Sequence, residues 1–69
     1  MVEIFKTDIR ELQVAHKVIL QLREHFPEAK INFDLEDCDR ILRVESTSVE
    51  TQKIINLLHQ SGHQSELIP

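Results

Sequence analysis

The sequence predicts an α+β fold in which two helices cover one face of a four-stranded antiparallel sheet. Two segments carry apolar residues at helical spacing, and four segments are β-branched or alternate between apolar and polar residues. Their order along the chain is strand, helix, strand, strand, helix, strand. The 69 residues are expected to form one domain, residues 1–69, because a second core does not fit in this length.

The first strand and the first helix are predicted between Met1 and Pro27. Met1–Lys6 has the β-branched and aromatic content of a strand. Asp8, followed by Glu11 three residues later, forms a capping-box pattern that predicts the start of a helix. Pro27 disfavours helical backbone at the residue before it and ends the helix. One helix face carries the apolar residues Leu12, Ala15, Val18, Ile19, Leu22 and Phe26.

A hairpin is predicted next. Lys30–Glu36 alternates Ile, Phe and Leu with Asn, Asp and Glu, which predicts a strand with one buried and one exposed face. Residues 37–39 are turn residues, and Arg40–Glu45 is predicted as the third strand.

A second helix and a last strand complete the chain. Thr47 and Glu50 form a second capping-box pattern. Gly62 is expected to end this helix, and Gln64–Ile68 is predicted as the fourth strand. The apolar stripe of the helix is Ile54, Ile55 and Leu58. Two right-handed split βαβ units of this order give the ferredoxin-like arrangement.

Composition excludes several classes of function. Twelve acidic residues outnumber eight scattered basic residues, giving a net charge of −4, so nucleic-acid binding is not expected. The longest apolar run, Val18-Ile19-Leu20, is far shorter than a membrane span of about 20 residues. One cysteine cannot form an internal disulfide. A cytoplasmic domain without membrane or nucleic-acid partners is expected.

The candidate chemical groups favour ordinary structural roles. Cys38 lies among Glu36, Asp37 and Asp39, whose charge disfavours the reactive thiolate, and this acidic turn lacks the further oxygen ligands of a calcium loop. The chain contains no nucleophile elbow and no glycine-rich phosphate loop. Its serines, two before the second helix and two near its end, are Ser46, Ser48, Ser61 and Ser65. Neither catalytic nor cofactor-binding residues, and no cofactor, are expected.

The histidines are the remaining metal candidates. His59 and His63 have the spacing of four that binds metal on a helix, but Gly62 lies between them, so their rings are expected to diverge. His16 and His25 are nine residues apart and fall on different helix faces. No metal-binding residue is therefore expected.

Two segments carry a resemblance to a known family. Phe26-Pro27-Glu28-Ala29-Lys30-Ile31-Asn32-Phe33-Asp34-Leu35-Glu36 and Ile54-Ile55-Asn56-Leu57-Leu58-His59-Gln60-Ser61-Gly62-His63 resemble the second strand and second helix of the heavy-metal-associated domain, the fold of copper chaperones. That resemblance, from Val2 to Ile68, implies the same fold. It does not imply the family's activity, because a Cys-x-x-Cys loop holds the metal there, and the corresponding positions here are Ile9 and Leu12, or Leu12 and Ala15.

The sequence therefore predicts a small non-enzymatic domain, similar to a heavy-metal-associated domain without its metal cysteines, with a protein-interaction or regulatory role. A metal-binding protein with a non-standard site, using Cys38 or the histidines, is one alternative. A dimeric small-ligand regulatory domain is another. An unidentified protein partner is expected, with the chain a monomer or a weak dimer. Val14, Leu20 and Leu57 fall off the main helical stripes, so they are expected to be singly exposed or to form part of an interaction patch.

Overall fold

The computed structural model describes residues 1–36 and 40–69 and confirms the predicted order of elements. The elements are β1 (Val2–Thr7), α1 (Leu12–His25), β2 (Lys30–Asp34), β3 (Ile41–Glu45), α2 (Thr51–Gln60) and β4 (Ser65–Ile68). The four strands form one antiparallel sheet in the order β2-β3-β1-β4, which is the ferredoxin-like topology. Within the described ranges, no helix is long and apolar enough to cross a membrane.

The core lies between the sheet and the two helices. Phe5 of β1 and Leu42 of β3 are partners in the strand register, and both are completely buried. Both helices turn their buried side chains toward this face of the sheet. The buried apolar cluster is Phe5, Ile9, Ala15, Val18, Leu22, Ile31, Leu42, Val44, Ile54 and Leu58. The sheet consequently has one covered face and one face without a helix on it.

Helix α1 begins later than the sequence predicts. Its N-cap is Glu11, no side chain caps it, and Asp8 does not act as a cap. The physical reason is the burial of Ile9, which is 1% exposed and belongs to the core. Because the backbone at residue 9 must direct this side chain into the core, the helix begins only after it. Leu12 is consequently at the first helical position and is 63% exposed, so its predicted place on the buried face is wrong.

Helix α2 also starts without the predicted capping box. Its N-cap is Glu50, and neither Thr47 nor any other side chain makes a capping hydrogen bond. Its end follows the prediction: Gly62 has φ +86°. The Gly62 N–H donates to His59 O (3.0 Å) and the His63 N–H donates to Leu58 O (2.9 Å), which is the Schellman pattern.

The remaining boundaries shift by one or two residues. β3 begins at Ile41 because Arg40 has φ +51°, in the left-handed region that ends extended backbone. Leu20 is exposed, at 61%, as predicted. Val14 and Leu57 instead pack against the core, so these three residues do not form one apolar patch.

Candidate functional site

The β1–α1 loop, where the resemblance places a metal motif, is built around a buried threonine. The Thr7 Oγ1–H donates to Arg40 O (2.7 Å), and Thr7 Oγ1 accepts from the Ile9 N–H (3.2 Å). These bonds tie the loop to the start of β3 and direct Ile9 into the core. Ala15 is also completely buried, and Leu12 points into solvent. Apolar side chains therefore occupy the positions at which the resemblance places metal ligands, and in either alignment one of the two belongs to the core.

The same end of the molecule brings the α2–β4 loop against this loop. The Asp8 N–H donates to Gln64 O (3.3 Å). His63 Nδ1 lies 3.6 Å from Asp8 Oδ1, with the His63 side chain 24% exposed and the Asp8 side chain 49% exposed. The Schellman turn at Gly62 positions residue 63 for this contact, because it reverses the direction of the chain after α2.

His59 and His63 line one groove between α2 and β4. The groove has a volume of about 320 Å³, and Ile55, Asn56, His59, His63, Gln64 and Ser65 line it. The sequence predicts that the two rings diverge at the helix end, and the structure places both residues on the lining of this groove. His16 and His25 are exposed on α1 and do not line it.

The other predicted candidates contribute little to a site. Cys38, Asp37 and Asp39 lie outside the described residues. Glu36 is exposed, and its N–H donates to Asp34 Oδ1 (3.2 Å). Among the residues that the structure describes, no group of three or more His, Cys, Asp or Glu side chains could hold a metal ion.

The four serines lie at the ends of helices and strands or in the loops beside them. The Ser61 Oγ–H donates to Gln21 Oε1 (2.9 Å) and ties α2 to α1. Ser65 Oγ is shielded from solvent and has no hydrogen-bond partner among the described groups. Ser46 accepts a hydrogen bond from the N-terminal amine through its carbonyl oxygen (2.8 Å), and Ser48 is exposed.

The uncovered side of the sheet is a second candidate surface, which we call the open face. Three isoleucines on it, Ile4, Ile41 and Ile68, are half-buried, and Val2 is 48% exposed. Ile4 and Ile68 are direct neighbours across β1 and β4. The members of the open face are Val2, Ile4, Lys6, Lys30, Asn32, Asp34, Ile41, Arg43, Glu45, Glu66 and Ile68.

The charges of the open face are balanced. Lys30 pairs in register with Glu45, and Lys6 pairs with Glu66. Directly opposed residues of opposite sign attract each other across a sheet. With Arg43 and Asp34 included, the face carries three basic and three acidic side chains. The chain's net charge of −4 therefore lies entirely off this face.

Sequence periodicity does not reveal these two surfaces, because both depend on which strands become neighbours. Alternation in the second strand indicates that one sheet face is exposed, but not that β1 and β4 place isoleucines side by side.

No protein-family model matches the chain, and no curated protein matches it either.

Proposed function

We propose that the chain is a non-enzymatic, cytoplasmic protein-interaction module that works through the open face, and that a second copy of the chain is its occupant. The observation that carries the proposal is the combination of clustered isoleucines with balanced charge on one uncovered sheet face. The residue patterns of 26–36 and 54–63 support kinship with heavy-metal-associated domains, and the apolar residues at the positions of that family's cysteines support a role other than metal transfer.

Charge balance favours a second copy as the partner. Two acidic chains repel each other when their acidic surfaces meet, and they avoid this repulsion when the neutral open faces meet. A two-fold contact uses the same patch on both copies, so the patch must be complementary to itself. A face with equal numbers of both signs meets this condition, whereas the acidic remainder of the surface does not.

The size of the face sets the expected strength of the dimer. Four strands spaced about 4.8 Å apart, each about five residues of about 3.4 Å, give a flat area of roughly 300 Å². A standard specific complex buries about 800 Å² per partner. We therefore expect a weak, reversible dimer with Kd between roughly 10 µM and 1 mM.

The test is sedimentation equilibrium together with amide NMR spectra from about 20 µM to about 1 mM protein, which covers most of the expected range of Kd. The wild-type chain should show a rising average mass, with concentration-dependent shifts confined to the open face. Arg43→Glu, on the open face, should weaken association by about ten-fold or more, since like charges then meet at the contact.

Arg23→Glu is the matched control, because it makes the same change of charge at an exposed site on α1. It should leave the dimer within about two-fold of wild type, as expected for a charge outside the contact. Equal weakening by both variants would show that net charge alone governs association. A constant monomer mass at the highest concentration, or shifts centred on the helices, would also overturn the proposal.

A further inference from the structure

We propose that the groove between α2 and β4 binds a divalent first-row transition-metal ion through the imidazoles of His59 and His63. Asp8 orients the His63 ring, and water molecules complete the coordination. The site lies at one end of the sheet and is independent of the open face. The metal-site proposal can therefore be tested separately from the dimer proposal.

The helix end builds the site. Ile55 and Asn56 lie four and three residues before His59 and share one side of α2 with it, so His59 lines the groove from the last helical turn. The Schellman turn then reverses the chain within two residues and brings His63 to the same groove.

Asp8 places a carboxylate beside one ring nitrogen of His63, at a distance slightly longer than a hydrogen bond. Metal-ligating histidines commonly donate a hydrogen bond from this ring nitrogen to a carboxylate, which orients the ring and makes the other nitrogen a better ligand. His63 Nδ1 is 3.6 Å from Asp8 Oδ1, so Nε2 is the nitrogen on the far side of the ring from this carboxylate. The Asp8 backbone is itself held, through its N–H bond to Gln64 O, against the loop that carries His63.

The groove lining also includes polar residues. Ser65 lines it, although its Oγ is itself buried. Asn56 and Gln64 add amide groups to the groove lining. These groups suit a hydrated ion better than an apolar ligand.

The donor set selects the class of ion. Imidazole nitrogens suit Zn²⁺, Ni²⁺ and Cu²⁺, whereas Ca²⁺ and Mg²⁺ require oxygen ligands. Two protein ligands leave two positions of a tetrahedral ion to water. We therefore expect affinity well below that of a closed four-ligand site.

The test is a titration with ZnCl₂ under reducing conditions, followed by the imidazole C–H signals of all four histidines. His59 and His63 should shift saturably, and His16 and His25 should not. His59→Gln and His63→Gln should each weaken Zn²⁺ binding by about ten-fold or more, because loss of a ligand costs at least as much as loss of its orienting partner. His16→Gln and His25→Gln, both at exposed positions on α1, are the matched controls and should bind as wild type.

Two further variants test the orienting role of Asp8 and exclude the thiol as a ligand. Asp8→Asn should weaken binding by about ten-fold and change the ratio of the two ring tautomers of His63 in long-range ¹H–¹⁵N spectra of the metal-free protein. Cys38→Ser should leave the affinity unchanged. Unsaturable shifts of all four histidines, undiminished binding by His63→Gln, or loss of binding in Cys38→Ser would each overturn the proposal.

Discussion

Gly62 gives the sharpest test of the structure, because its replacement isolates one physical effect. Its φ of +86° lies in the region that residues with a Cβ rarely adopt. A Cβ built at this position meets nothing within 4 Å. Gly62→Ala therefore changes backbone energy without introducing a steric contact, and it removes no side-chain interaction.

The size of the effect follows from two opposing terms. Alanine in the left-handed region costs about 1–2 kcal/mol relative to the right-handed one. Alanine also restricts the unfolded chain, which returns about 0.4–1 kcal/mol of stability. The net loss is roughly 1 kcal/mol, which corresponds to a fall in Tm of about 4–8 °C for a domain of this size.

Urea unfolding followed by circular dichroism measures this loss. The midpoint should fall by about 1 M with an unchanged m value, because the surface exposed on unfolding is the same. Gly62→Asn should lose less than Gly62→Ala, since asparagine tolerates positive φ. A Gly62→Ala protein as stable as wild type would show that residue 62 does not hold this conformation, and the placement of His63 at the groove would lose its basis.

Two further substitutions test the core and the loop. Leu42→Ala, at the completely buried centre of the sheet, should lower the free energy of unfolding by about 2–5 kcal/mol, and a urea titration should find little or no folded protein. Leu20→Ala, at an exposed helical site, is the control and should change the free energy of unfolding by no more than about 0.5 kcal/mol. Thr7→Val should cost about 1–3 kcal/mol, because it leaves Arg40 O and the Ile9 N–H with one hydrogen bond fewer in a shielded loop. Thr7→Ser keeps the hydroxyl group and should therefore lose much less stability than Thr7→Val. Equal destabilisation by both Thr7 variants would contradict the hydrogen-bond explanation.

The element order was predictable because it depends on local patterns. The alternation in Lys30–Asp34 and the helical spacing of Ala15, Leu22 and their neighbours each report which side of a segment is buried. Pro27 and Gly62 mark helix ends through their own backbone preferences. None of these signals requires knowledge of a distant residue.

The helix starts were not predictable in the same way. Asp8 and Thr47 are residue types that commonly cap helices, but whether a cap forms depends on which neighbouring side chains must be buried. Ile9 has to fill the core beneath the loop, and this requirement moves the start of α1 to Leu12. Burial of one isoleucine outweighs a cap contribution of about 1 kcal/mol.

The amino-acid sequence by itself determined the βαββαβ order, the covered and uncovered strand faces and the end of each helix. Tertiary structure alone decided the approach of His63 to Asp8, the position of His59 and His63 along one groove, and the isoleucine cluster on the open face. The physical reason is the sequence separation over which each effect acts. Periodicity and backbone preference act within a few residues, whereas both candidate surfaces are made by residues from separate elements. Those residues become neighbours only when the strands pair in the order β2-β3-β1-β4.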